Sequence, residues 1–315
     1  MRERAHGIGK KLARSGRAMT QRLTNYLVYD FWLEYSGTRP RKFFDDHPAF
    51  FDTDGQMRLT YRISDAISER MVPIIERALE AWEEPTGIEF VQVDSGAQIS
   101  FWKNNNWEDR AFTIWDIRPR DGDFDNIWSS SVVFNNSTVL WTQQAAYETA
   151  LEEIGHALGL GHGGPYNGTD GAPIFPEDKH SVTVMSYVDD LPIAGPQEAD
   201  YAAAAELYNP GPINAGNTVH VIDGDLHFHI EDHAGNDRIE WYATEENRLL
   251  DVRPGGVTKQ ASIGETTEIE DVVVMADGIT VAVIYDDRVE IQFASGNEMT
   301  MSHGHWAFAT WGFGA

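Results

Sequence analysis

The chain has no cysteine among its 315 residues. That absence removes disulfide scaffolds and thiolate metal sites together, so any metal must be held by histidine, carboxylate or tyrosine oxygen. No stretch reaches the roughly 18 apolar residues that a membrane-spanning helix requires. The N-terminus also lacks the unbroken apolar core of a secretory signal peptide, because Lys10, Lys11, Arg14 and Arg17 interrupt it. Positive charge is scarce beyond the first residues. The formal net charge is −26, yet residues 1–42 hold ten Lys/Arg against three Asp/Glu, which leaves −33 on the other 273 residues. A body this acidic repels phosphate backbones and argues against nucleic acid as the main partner.

What is present is the composition of a folded protein, 42% hydrophobic and 11% aromatic, in a chain long enough for one large core or two domains. Residues 1–52 read as a basic leader or solvated arm, followed by the aromatic run Asn25 to Trp32, a pre-segment suited to docking on a neighbour. Met57, Leu59, Tyr61 and Ile63 alternate with polar residues, as in a half-buried strand. Ile67, Met71, Ile74, Ile75, Ala78, Leu79 and Trp82 then share one helix face, with Pro73 near the start of the regular part. Further strands are expected at Ile88 to Val93, Ala97 to Trp102 and Phe112 to Ile117, with an apolar stretch at Ser131 to Phe134. A long periodic helix runs from Gln143 to Leu160 and stops at Gly159 and Gly161. A short alanine-rich helix, Glu198 to Tyr208, ends at Asn209-Pro210-Gly211, which marks a domain boundary. Beyond it short strands lie between turns, without a visible repeat. The domains expected are therefore 1–52, 53–210 and a β-rich 211–315.

The chemistry is concentrated in Leu151-Glu152-Glu153-Ile154-Gly155-His156-Ala157-Leu158-Gly159-Leu160-Gly161-His162. Residues four apart on a helix lie one above the other, so Glu152 and His156 point to the same side. Gly159 permits a left-handed turn that brings His162 to the same point from outside the helix. Three ligands with a water in the fourth position is the arrangement of a catalytic zinc site, and Glu153 stands beside that water as a general base. Downstream, Met185 with Ser186 and Tyr187 belongs to the same site by its placement 23 residues after His162.

This run follows H-E-x-x-H-x-x-G-x-x-H at every fixed position but the first, where Glu152 replaces histidine. With Ala81-Trp82, Gly87 to Val91, Ala97 to Phe101, Tyr166-Asn167-Gly168 and a Met-turn at Met185, residues 57–210 resemble the serralysin-type metzincins, secreted bacterial zinc endopeptidases. The resemblance implies an α/β metzincin-like catalytic domain, with a twisted mainly parallel sheet and an active-site helix, followed by a small β-rich domain. It assigns zinc ligation to Glu152, His156 and His162, general-base work to Glu153 and transition-state support to Tyr187. Thr24 to Phe44 resembles the short leader before the catalytic domain in such enzymes. A polypeptide substrate, a monomer and an extracellular location are expected, and Trp306 to Ala315 fits either a C-terminal export signal or a last docked strand. Cytoplasmic residence is the alternative location.

Two departures shape the expectation. A ligand set of one Glu and two His is compatible with catalytic zinc, but the added carboxylate beside Glu153 weakens the zinc as a Lewis acid. The rival reading is a catalytically silent homologue that binds a protein partner. At the C-terminus only Ala234-Gly235-Asn236-Asp237-Arg238-Ile239 resembles the beginning of a calcium-filled β-roll. Calcium at an isolated Asp/Asn turn stays open, whereas a tandem calcium roll is not supported. Asp121, Asp123 and Asp125 read as a solvated acidic loop, since the EF-hand glycine and glutamate positions hold Asn126 and Val132. His227 and His229 fall on one strand face near His220 and His233, read as an exposed histidine-rich strand, with a second metal site as the alternative.

Overall fold

The computed structural model describes residues 20–44, 57–105, 111–135, 142–167, 172–214, 216–224, 226–244, 247–276 and 278–302. The basic run up to residue 19, Gly168 and the terminal Trp306 to Ala315 therefore lie outside the described residues. The chain divides into two compact units, one of residues 1–190 and 195–211, the other of residues 191–194 and 212–315. Among the described residues no helix is long and apolar enough to cross a membrane.

The first unit is built on a six-stranded sheet. β2 (Arg58–Ile63) runs parallel to β3 (Glu89–Gln92) and to β4 (Ile99–Lys103), and β4 runs parallel to β6 (Asp125–Phe134). The two-residue β1 (Arg41–Lys42) continues the parallel pairing along the start of β6. β5 (Ala111–Arg118) is the exception, antiparallel to β6 along its whole length. A parallel pair requires a long crossover; between β2 and β3 it is α2 (Val72–Thr86), which begins with Pro73 in its first turn and stops at Gly87 in a left-handed conformation. Its apolar face carries Ile74, Ile75, Ala78, Leu79 and Trp82 into the core. α3 (Gln143–Ala157) starts at Thr142, whose side chain accepts a hydrogen bond from Ala145 N. α4 (Glu198–Tyr208) starts from a Gln197–Asp200 capping box.

The expected strands are present with ends moved by a residue or two. The exception is β6, which begins at Asp125, inside what reads as an acidic loop. Asp125 leaves solvent because Arg39 donates to it at 2.7 Å and β1 pairs beside it. The aromatic run near the N-terminus is α1 (Tyr26–Ser36), wound as a π-helix and ended by left-handed Gly37. Tyr26, Leu27, Val28, Phe31 and Trp32 are buried on it.

Among the described residues the second unit is all β, and three of its parallel pairs share one stagger. Phe228 on β8 (Phe228–Ile230) lies opposite Ala261 on β11 (Ala261–Ile263), and Arg238 on β9 (Arg238–Tyr242) opposite Asp271 on β12 (Asp271–Met275). Leu249 on β10 (Leu249–Asp251) lies opposite Ala282 on β13 (Val281–Ile284). Each partner is 33 residues further along the chain. That is one coil of a parallel solenoid laid on another, with β7 (Val219–Ile222) added parallel to β9 at a stagger of 19. β14 (Arg288–Gln292) and β15 (Glu298–Ser302) close it as antiparallel strands. Apolar residues fill the interior, among them Ile230, Ile239, Trp241, Leu250, Ile263 and Val283.

The solenoid corrects the expectation of an exposed histidine strand. His227 and His229 are buried, because the next coil covers β8: His229 Nδ1 meets Ser262 Oγ at 3.0 Å and His227 Nδ1 meets Lys259 O at 3.0 Å. Asp237, in the segment resembling the start of a calcium domain, accepts from Thr218 N at 2.8 Å and donates its own N–H to Glu270 at 2.6 Å.

Candidate metal centre

α3 is held from below before it presents anything. Trp82 on α2 donates its indole N–H to Leu151 O at 3.0 Å. One turn on, Gly155 has Met185 Sδ and the Trp82 ring so close that a Cβ there would lie 2.6 Å and 3.1 Å from them. Glycine at 155 is thus what lets the methionine sit directly under the helix. The segment carrying Met185 is in turn tied to α4. The buried Asp200 carboxylate accepts from Thr183 Oγ1 at 2.6 Å, Val184 N at 2.8 Å and Gln197 N at 2.8 Å.

Glu152 and His156 of α3 converge with His162, the one such group of three metal-binding side chains among the described residues. The helix ends at Leu158, and Gly159 takes a φ of +109°. A side chain at 159 would meet Arg41 O at 2.1 Å, so both the turn and the close approach of β1 require glycine. The turn brings His162 Nε2 to 3.0 Å from His156 Nε2 and 3.3 Å from Glu152 Oε1, and Glu152 Oε1 lies 4.0 Å from His156 Nε2. Tetrahedral zinc with bonds near 2.0–2.2 Å sets its donor atoms roughly 3.3–3.5 Å apart. The three separations bracket that value.

The protonation states suit a cation. His156 Nδ1 meets Leu160 O at 2.9 Å, which places its proton on that nitrogen and leaves Nε2 as a lone pair. Burial, aided by His162, pushes the His156 pKa down to about 4 against the favourable charge of Glu152. Burial pushes His162 down to about 3, with the Tyr166 main chain opposing. Both rings are neutral at pH 7. Two neutral imidazoles with their Nε2 atoms in contact, beside a carboxylate, form a donor set that fits a divalent ion of nitrogen and oxygen preference.

Glu153 is buried next to this group. Thr113 Oγ1 on β5 donates to its Oε2 at 2.7 Å. Burial and then the charge of Glu152 push its pKa up to about 8, against the Thr113 hydrogen bond. A second residue of β5 also reaches α3: Trp115 Nε1 donates to His156 O at 2.8 Å. Tyr187 packs edge-on against the His162 ring at 4.8 Å and stacks on Tyr166 at 4.4 Å. Tyr166 is fixed by its hydroxyl, which donates to buried Asp178 at 2.7 Å and accepts from Tyr187 N at 3.2 Å.

Of the six residues singled out from the sequence, Glu152, His156 and His162 converge, Glu153 is next to them in the chain, Tyr187 packs on the His162 ring, and Met185 lies against Gly155 of the same helix. Thr113, Trp115, Asp178 and Asp200 had no signal in the sequence. They act through hydrogen bonds between segments far apart in the chain, and no spacing marks them.

No family model matches the chain. It is similar to serralysin of Proteus mirabilis, 23% identical over 249 residues, covering 62% of this chain and 50% of that protein. Metallopeptidase AprA of Pseudomonas marginalis is 23% identical over 239 residues, again 62% of this chain and 50% of that one. Serralysin A of Dickeya chrysanthemi is 42% identical over a shorter 60 residues, 19% of this chain and 13% of that one. A chain from the GM1-bound form of the ECX AB5 holotoxin superposes with a TM-score of 0.32 at 18% identity, over 48% of this chain and 80% of that one, too slight a likeness to bear on the fold. The chain spans about half the length of these two longer-matching relatives, and over that part it is similar to serralysin-like metallopeptidases.

Proposed function

We propose that the first unit is a zinc-dependent endopeptidase acting on extended polypeptides outside the cell. The observation that carries this reading is the convergence of Glu152 Oε1, His156 Nε2 and His162 Nε2 beside the buried carboxyl of Glu153. Those three atoms would hold the zinc. A bound zinc ion polarises a carbonyl oxygen and makes a water acidic.

The rest is the work of the chain's own groups. Among the described residues β5 pairs only with β6, and an extended peptide would be laid along its other edge, beside the residues that touch Glu153 and His156. Glu153 takes the proton of the attacking water and returns it to the leaving amine. With a pKa pushed up to about 8 it is mostly protonated at neutral pH in the metal-free chain, and it would be drawn down into the range of a working base by a cation held on its neighbours. Thr113 fixes one carboxylate oxygen, which leaves Oε1 for the proton. Tyr187, held by its stack on Tyr166, supplies a hydroxyl to the developing oxyanion.

The test is cleavage of an unfolded polypeptide such as reduced casein. Cleavage that a chelator removes, zinc restores and Glu153→Gln abolishes supports the reading. The Glu152 substitution favours a second reading, a silent peptidase fold that binds a protein partner. Under it the native chain with zinc supplied cleaves nothing, and Glu152→His creates the activity.

A further inference from the structure

Two of the three ligand side chains stand on α3, and the helix itself places them. His162 does not. It lies in the loop after Gly159, and its Nδ1 is buried with no well-formed hydrogen bond, only a weak one toward the Tyr166 main chain. Histidines that ligate metals are ordinarily oriented by donating their second nitrogen to an acceptor, as His156 does to Leu160 O. His162 is surrounded instead by aromatic rings: Phe31 at 5.2 Å and 80°, Tyr166 at 5.5 Å and Tyr187 at 4.8 Å between centroids.

Phe31 differs from the other two in where it comes from. It is buried on α1, more than a hundred residues away in sequence, and α1 is bonded to the ligand loop in three ways. Trp32 Nε1 donates to Gly159 O at 3.0 Å, and Gly161 N donates to Leu27 O at 2.8 Å. Phe31 lies flat against Gly161, where a Cβ would come within 2.3 Å of its ring. The neighbouring Trp32 is itself locked. The buried Arg41 guanidinium sits 4.0 Å from its ring and 4.9 Å from that of Trp115, the residue bonded to His156 O. α1 is therefore joined to both segments that bear ligands.

We propose that Phe31 is the positioning residue of His162, taking the part that a hydrogen bond plays for His156, and that α1 is in consequence a permanent component of the metal centre. The proposal rests on the metal reading above. It extends that reading to a segment that resembles a leader.

The experiment uses cobalt(II) as the probe on the full chain, with affinity measured by chelator competition and ligand geometry read from the visible absorption of the cobalt-loaded protein. Phe31→Leu removes the ring and keeps the apolar volume. Phe101→Leu removes an equally buried ring that packs on Phe134 within the same unit, away from the ligands. The expected result is that Phe31→Leu weakens cobalt binding about tenfold or more and changes the absorption spectrum, that Phe31→Tyr restores both, and that Phe101→Leu lowers thermal stability with affinity and spectrum unchanged. Equal cobalt affinity and spectrum in Phe31→Leu and the unsubstituted chain overturn the assignment. So does failure of both Phe31→Leu and Phe31→Met to fold, which makes Phe31 a core residue only. Absence of cobalt and zinc uptake by the unsubstituted chain is a separate outcome, seen before any substitution, and it overturns the metal reading itself.

Discussion

Both units of the molecule set histidines against carboxylates, and the two clusters differ in what their nitrogens meet. In the first unit, His156 and His162 turn Nε2 atoms toward each other at 3.0 Å, with Glu152 Oε1 3.3 Å from one of them. In the second, the ring nitrogens of His229 and His233 are already taken. Glu231 lies between His229 Nε2 at 3.3 Å and His233 Nε2 at 3.1 Å, while Nδ1 of each ring is taken by Ser262 Oγ and by the N–H of Ile213. His220 Nε2 meets Asp232 at 3.0 Å. The same residue types make a candidate cation site in one place and, in the other, a polar clamp in which His229, His233 and Glu231 satisfy one another. Composition does not distinguish the two; the direction of the lone pairs does.

The comparison breaks most sharply at the carboxylates. Glu153→Gln should lower peptidase activity by about 10²–10⁴-fold, the usual worth of a general base, with metal content unchanged. Glu231→Gln should leave activity as it was. Rates of peptide cleavage together with elemental analysis of each variant check both halves. If Glu231→Gln also silences the enzyme, the second cluster is more than a clamp.

Removal of a nitrogen should be nearly as decisive for metal. His162→Ala is expected to lose bound zinc on dialysis, whereas His229→Ala retains it and shows only a lower thermal midpoint. Packing comes next. Gly155→Ala drives a methyl group against Met185 Sδ and should cost about 1–3 kcal/mol of stability. Denaturant unfolding measures it, and a Gly155→Ala protein as stable as the parent would show that the methionine does not bear on the helix.

The smallest effect is on pH, and the carboxyl groups of the two clusters are shifted in opposite directions. In the metal-free protein His156 and His162 have pKa values of about 4 and about 3 against 6.5 in the unfolded chain. The unfolded state therefore binds more protons, and the first unit loses stability as pH falls below about 6.5, by at most about 1.4 kcal/mol per pH unit for each ring. Glu153, at about 8 against 4.5, acts in the opposite sense and removes stability as pH rises from 4.5 toward 8. Two rings outweigh one carboxyl below pH 6.5, and the carboxyl acts alone above it, so these groups place a stability maximum near pH 6.5. Burial pushes Glu231 up, but the hydrogen bonds and charges of His229 and His233 outweigh it and hold its pKa below the ordinary carboxylate range. Its contribution is present above that range and lost as pH falls through it. Thermal unfolding of metal-free protein between pH 4 and 8 tests both, and a first-unit transition that shifts steadily in one direction would contradict the balance.

The candidate metal centre is legible in the sequence because its parts are local. Glu152, Glu153 and His156 share one helix, Gly159 turns the chain, and His162 follows three residues later. Such spacing is fixed by helix geometry. What orients these residues comes from far along the chain, and so Thr113, Trp115, Asp178 and Asp200 carry no pattern, and the bonding of α1 to residues 159–162 is invisible until the chain is folded. The solenoid is hidden for another reason. Its repeat of 33 residues is kept by backbone pairing and by interior residues as unlike as Trp241 and Val274, or Phe228 and Ala261, so no motif recurs. The histidines of β8 look like a polar face because nothing in the sequence shows the coil that covers them.

The claim on which the account depends is that Glu152 completes a metal site with His156 and His162. The most direct measurement is zinc per chain, by elemental mass spectrometry, in protein purified without added metal, dialysed, and then offered zinc with the excess removed. The account predicts about one zinc per chain, falling to background in His162→Ala. A chain that holds no zinc even after it is offered would contradict it and leave a protein-binding module on a peptidase fold.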